Sequence, residues 1–150
     1  MYHTIVRRIA CASFESLSKG DYEALLSQCS SNVEHRFAGN HALGGTRHSV
    51  QAMRRWFQRL FVLFPGLNFE IKEILVRGWP WNTRVAVEWI DRATTSDGVP
   101  YINEGVHLLH IRWGRLTKLH AYLDTQKVEE VCKRLAQQGI AEASASPIED

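Results

Sequence analysis

Apolar positions recur at two periods along this chain, and the change of period separates an early helical region from a late strand-rich one. Ile5, Ile9, Ala12, Phe14 and Leu17 mark an amphipathic first helix. Gly20 can end it, and Asp21 can cap a short second helix on which Tyr22, Leu25, Leu26 and Cys29 share a face. Val33, His35 and Phe37 alternate within 32–39 and predict a strand, followed by a glycine-rich loop over 39–46. Met53, Trp56, Phe57, Leu60 and Phe64 return to helical spacing, and Pro65-Gly66 stops that third helix. From there the pattern becomes that of strands, at about 67–77, 83–94, 101–113 and 115–124. Trp79-Pro80-Trp81-Asn82 and Ser96-Asp97-Gly98 form turns, and Gly114 makes the last connection a tight hairpin. Thr125 can cap a closing helix whose Val128, Val131, Cys132 and Leu135 face inward, and the acidic segment 139–150 reads as a flexible tail.

Helices first and a strand meander last predict an α+β domain over 1–138, with one curved antiparallel sheet and helices packed on one of its faces. A curved sheet around a long helix leaves a funnel, a common site for small ligands.

At 150 residues, one domain with a substantial core is expected. The net charge of +2 gives no reason to expect nucleic acid. Arg54, Arg55 and Arg59 form a basic helical stripe that reads as a solvated face. Three cysteines make no disulfide framework, and Cys11, Cys29 and Cys132 read as free thiols in helices. No stretch approaches the ~18 apolar residues of a membrane span, and the first residues lack the apolar run of a signal peptide. The expected setting is therefore cytoplasmic, with no membrane partner. The histidines have no metal-site spacing, so no metal is expected, and the glycine loop lacks the strand and lysine of a phosphate loop.

Two carboxylates carry the candidate chemistry. Asp91 ends the run Val85, Val87, Trp89 on one strand face; its alternative is pairing with Arg92 or Arg112. Asp124 ends the last strand. Alternation puts it with Lys118, His120 and Tyr122, opposite the more uniformly apolar Leu119, Ala121 and Leu123. That pattern sends Asp124 toward solvent, as the cap of the last helix, unless a bulge intervenes. An acid inside an apolar cavity has its pKa raised by desolvation, which suits proton transfer near neutral pH. Tyr122 or His35 could support an oxyanion, and Trp89, His35, Phe37, Trp56, Leu60 and His120 are candidate ligand-binding residues.

The element order, with Asp21-Tyr22-Glu23-Ala24-Leu25, Phe64-Pro65-Gly66, and Ile111-Arg112-Trp113-Gly114-Arg115-Leu116 running on to Tyr122-Leu123-Asp124, resembles the SnoaL-like proteins of the nuclear transport factor 2-like superfamily over about residues 5–135. The resemblance implies a cone-shaped, cystatin-like fold with a central pocket. It also implies carboxylate acid/base chemistry of isomerase or polyketide-cyclase type without a cofactor, on an apolar oxygenated substrate. Asp124 matches the position of the acid or base in such enzymes, with Asp91 as its partner. Where epoxide-hydrolysing relatives carry Arg-x-Asp, this chain has Trp89-Ile90-Asp91, which counts against that reaction. Non-catalytic members of the superfamily imply an alternative, a ligand-binding or scaffolding homodimer paired through the sheet, for which Leu109, Ile111 and Trp113 offer one strand face.

Overall fold

A computed structural model describes all residues, 1–150. The chain folds as α1 (Tyr2–Ser18), α2 (Glu23–Leu26), β1 (Cys29–Phe37), β2 (Gly45–Arg47), α3 (Val50–Leu63), β3 (Asn68–Trp79), β4 (Asn82–Thr94), β5 (Pro100–Arg112), β6 (Arg115–Leu123), α4 (Thr125–Gln137) and α5 (Ala141–Ser144). The strands form one six-stranded sheet in the order β2-β1-β6-β5-β4-β3.

The expected wholly antiparallel sheet needs correction. β1 runs parallel to β6, with His35 opposite Leu119 and Phe37 opposite Ala121, so the sheet is mixed. The meander β3–β6 is antiparallel as read, because hairpin turns join its strands. β1 reaches β6 only after a long crossover through α3, and such a connection leaves strand direction free. The short strand β2 falls inside the predicted glycine loop, where its three residues are too few for an alternation to show.

Local signals explain most of the boundaries. Gly20, at φ 77°, ends α1: its amide bonds the Leu17 carbonyl and the Asp21 amide bonds that of Ser16, a Schellman pair. Ser49 caps α3 by accepting from the Ala52 amide at 3.1 Å. The buried face of α3 carries Met53, Trp56, Phe57 and Leu60, as its spacing predicts. On α1 the buried stripe is Val6, Ala10, Phe14 and Leu17, so Ile5 and Ile9 stand half exposed on the flank, against expectation.

Inward residues alternate along the meander: Val85, Val87, Trp89 and Asp91 on β4, Tyr101, Asn103, His107 and Leu109 on β5, and Leu119 and Ala121 on β6. Gly105 sits among them because a Cβ there would lie 2.4 Å from the Tyr122 carbonyl oxygen and 2.9 Å from the Trp89 ring. Residues 139–150, expected to be a flexible tail, lie against β2 and α3. Ala143 is buried, Glu142 pairs with Arg59, and the Ile148 carbonyl accepts from Arg47 Nε at 2.9 Å.

Candidate functional site

The concave face of the sheet and helices α1 and α3 form a cavity of about 300 Å³, lined mostly by apolar side chains. Among its polar groups are Asp91, Tyr101, His107 and His35. The strand register explains why three of them share one face. Asp91 lies opposite Asn103, Ala93 opposite Tyr101 and Val87 opposite His107, so the inward residues of two adjacent strands present one acid and two potential donors.

Asp91 is 5% exposed, and its Oδ1 is occluded without a hydrogen-bond partner. Burial pushes its carboxyl up to about 7, against the weaker opposing pull of the Asn103 and Asp91 amides and the Lys127 charge. The alternative pairing with Arg92 or Arg112 does not form; Arg92 points outward and pairs with Glu70. An unpaired buried acid is costly to the fold, and a functional role is one reason to keep it.

Tyr101 is held by Asn103, whose Nδ2 donates to the Tyr101 hydroxyl at 2.9 Å and to the Asp124 carbonyl at 3.0 Å. Asn103 Oδ1 accepts from the Glu104 amide at 2.8 Å, which fixes the amide's orientation. Burial first, then the nearby Asp91 charge, raises the tyrosine's pKa, so its hydroxyl keeps its proton. That oxygen accepts from Asn103, and the hydroxyl hydrogen remains available for donation.

His107 is buried, and burial lowers its pKa to about 3. Trp89 Nε1 donates to His107 Nδ1 at 2.7 Å, which makes the ring the neutral Nε2–H tautomer. His35 is neutral for a similar reason: burial, then the adjacent Arg47 charge, lowers its pKa, and Arg47 Nη1 lies 2.7 Å from its Nδ1. Its ring packs edge-on against Trp56 and is tied to the buried Arg47.

Of the residues singled out from the sequence, Asp91, Trp89, His35, Phe37, Trp56 and Leu60 all line the cavity. Asp124, Tyr122 and His120 do not, and this is a correction. Asp124 is exposed and caps α4, its Oδ1 accepting from the Gln126 amide at 3.1 Å. Tyr122 is 41% exposed on the outer face, and His120 bonds Glu34 at 2.7 Å on that same face. The β5–β6 register shift falls between His110 and Ile111, too early to turn the end of β6 inward. The alternation of Leu119, Ala121 and Leu123 therefore decides the face.

The strand face of Leu109, Ile111 and Trp113, offered above for pairing, borders the cavity instead. Tyr101, Asn103 and His107 were missed as site residues. Their signal was a set of polar side chains at even spacing on the apolar face of one strand. No group of three or more His, Cys, Asp or Glu side chains converges in metal-binding geometry.

The profile of the SnoaL-like domain matches residues 11–119. None of the curated proteins is similar enough to match. Solved structures share the fold: PrhC from Penicillium brasilianum superposes with a TM-score of 0.76 at 19% identity, covering 91% of each chain. An NTF2-like protein of unknown function from Burkholderia pseudomallei gives 0.74 at 17% identity, over 83% of this chain and 95% of that one. A putative polyketide cyclase from Xanthomonas campestris gives 0.62 at 21% identity, over 92% and 96%. At such identities the likeness speaks for the NTF2-like, ketosteroid-isomerase-like fold alone.

Proposed function

Because this chain belongs to the SnoaL-like domain family, we propose that it catalyses proton transfer next to a carbonyl in a small, apolar, oxygenated molecule, with isomerisation or cyclisation as the outcome. The observation that carries this reading is Asp91: an occluded carboxyl with no ion-pair partner in an apolar cavity, where burial pushes its pKa up to about 7. A base of that pKa is ionised in a large fraction at pH 7 and still strong enough to take a proton from carbon α to a carbonyl. Removal of that proton moves charge onto the carbonyl oxygen. We assign the Tyr101 hydroxyl, held by Asn103 on the strand beside Asp91, as the donor that receives it. Asp91 then returns the proton at a second carbon, or the enolate attacks an internal carbonyl and Asp91 returns the proton to the alkoxide oxygen so formed. In both routes the carboxyl starts and ends ionised.

The substrate class follows from the wall. Phe14, Phe69, Trp89, Leu109 and Leu119 bring no hydrogen bond for a polar body, so ligand polarity has to be concentrated near Asp91 and Tyr101. A neighbour of the same fold, TerC, was co-crystallised with polyporic acid.

The test is hydrogen exchange. An apolar cyclic ketone such as 2-tetralone, incubated with the protein in deuterium oxide, should lose its α-protons faster than in buffer, as read by proton NMR. Asp91→Asn should reduce that acceleration by about 10²–10⁴-fold. Equal exchange with the variant removes Asp91 from the chemistry.

A second reading concerns assembly. The outer sheet face carries Leu75 (57% exposed), Ile102 (51%), Leu108 (39%) and Tyr122 (41%). Leu108 and Ala86 face each other across β4 and β5, giving the centre of that face an apolar row. We propose pairing with a second copy there, which leaves the cavity untouched and also accommodates a ligand-binding homodimer without catalysis. Light scattering of Leu108→Glu against the parent tests it: a dimer that becomes a monomer supports the assignment, and an unchanged mass refutes it.

A further inference from the structure

We propose that the tip of the sheet formed by the β3–β4 and β5–β6 turns is a docking surface for an anionic lipid bilayer, which sets the cavity mouth against the membrane. The proposal concerns the rim and does not depend on what Asp91 does.

Three tryptophans stand exposed there: Trp79 (58%), Trp81 (54%) and Trp113 (69%). They form one patch. The Trp79 and Trp81 rings stack at 6.4 Å between centroids, and Trp81 lies 6.3 Å from Trp113. The two turns are joined by a backbone bond from the Trp113 amide to the Pro80 carbonyl at 2.7 Å. The start of α1 is fastened to them, with His3 Nε2 2.8 Å from the Gly78 carbonyl oxygen. Ile5 and Ile9, at 48% and 49% exposure, continue the apolar surface along α1. Ile5, Ile9, Pro80 and Trp113 also border the cavity, so the patch is its rim.

The placement of Trp113 is informative. It occupies the first position of a two-residue turn at φ 48°, followed by Gly114 at φ 75°. Small or amide residues favour such positions and a bulky side chain does not. Local folding is therefore not served by a tryptophan there, whereas a ring projecting off the end of the sheet is.

Charge selects the partner. Arg77 lies directly opposite Arg84, and Arg112 directly opposite Arg115. Like charges across a ladder are unfavourable, and none of the four arginines pairs with a carboxylate. Arg7 and Arg8 on α1 are exposed and equally unpaired. Guanidinium groups without carboxylate partners on the strands that carry the exposed indoles match the interfacial region of an anionic membrane, where tryptophan rings settle at headgroup depth and each basic side chain adds attraction. Self-association through this tip would set the arginine clusters against each other. A nucleic acid would leave the aliphatic Ile5 and Ile9 without a role. No helix is long and apolar enough to cross a membrane. The sequence-based expectation of no membrane partner rested on that kind of feature alone, which does not bear on a surface that lies at the interface.

The experiment is co-sedimentation of the intact protein with vesicles of phosphatidylcholine alone and of phosphatidylcholine mixed equally with phosphatidylglycerol, with tryptophan emission recorded. The expected result is binding to the mixed vesicles with a blue shift, weakened at about 0.5 M salt where charges are screened within a few ångströms. The combined Trp79→Ala, Trp81→Ala, Trp113→Ala variant should bind at least tenfold more weakly. Arg77→Gln with Arg112→Gln should lose the preference for the anionic lipid while keeping the thermal transition, which guards against misfolding of the first variant. Absence of binding to mixed vesicles, equal binding by both variants, a change of oligomeric mass in the tryptophan variant without vesicle binding by the parent, or binding to single-stranded oligonucleotide in preference to vesicles would each overturn the proposal.

Discussion

Trp89 Nε1 donates to His107 Nδ1 across 2.7 Å, and this bond fixes the tautomer of the neutral histidine. A protonated ring would carry a hydrogen on Nδ1 aimed at the indole N–H, in a site that burial already makes hostile to charge. Burial lowers the pKa of folded His107 to about 3. An unfolded histidine takes a proton near pH 6.5. Between these values the unfolded chain binds the extra proton, so His107 stabilises the fold above pH 6.5 and that stability is lost as pH falls. His35, whose pKa is lowered for the same reason, acts in the same direction. His107→Gln, which keeps an acceptor for Trp89, should give a shallower loss of stability between pH 6 and 4 in urea titrations, by up to about 1.4 kcal/mol per pH unit. An unchanged slope would mean that His107 already carries charge in the fold.

Asp91 has the opposite dependence. Its pKa is raised from 3.8 to about 7 by burial, so the folded state holds a proton that the unfolded state has released. The stability tied to that proton is complete below pH 4 and is lost as pH rises toward 7. Asp91→Asn keeps the shape and removes the charge. It should match the parent near pH 4 and exceed it at pH 8 by about 1–4 kcal/mol, the larger figure being the full shift at about 1.4 kcal/mol per unit. The melting temperature should rise at about 2–4 °C per kcal/mol in a chain of this length. A variant less stable than the parent at pH 8 would show that the carboxylate is satisfied in the fold.

Most of the architecture was legible because strand alternation and helix spacing report burial directly. Val85, Val87, Trp89 and Asp91 were placed on one inward face by pattern alone, and all four are buried. Asp124 shows where pattern and resemblance disagreed. Resemblance assigned it the cavity, while the alternation of Leu119, Ala121 and Leu123 assigned it solvent, and geometry follows the alternation. The parallel pairing of β1 with β6 is set by a crossover whose direction no local signal encodes. Tyr101 and Asn103 were hidden for a similar reason. Asn103 acts through hydrogen bonds to Tyr101 and to the Asp124 carbonyl, both made by tertiary packing.

Asp124 now has a structural role, which separates it from Asp91 experimentally. Asp124→Ala removes the α4 cap and should cost about 0.5–2 kcal/mol, read as a lowered melting temperature. The α-proton exchange described above should stay within about twofold of the parent when corrected for folded protein. A loss comparable to that of Asp91→Asn would return Asp124 to the chemistry.

The thiols provide a test of packing. Burial pushes Cys29 up to about 11 and raises Cys132 as well, and both are buried, whereas Cys11 is partly exposed on α1. Thiolate is the reactive form, so an aromatic disulfide reagent at pH 8 should label Cys11 within minutes and the other two only after denaturation. Rapid reaction of all three in the native protein would mean that the α4 face and the start of β1 open readily.

Asp91 is sheltered in an apolar cavity, and that shelter pushes its pKa up to about 7. Carbon-13 NMR of the aspartate side-chain carboxyls, with Asp91→Asn used to assign the resonance, measures this directly. A midpoint at about pH 7 is expected for Asp91. A midpoint near 4, the ordinary carboxylate value, would contradict it.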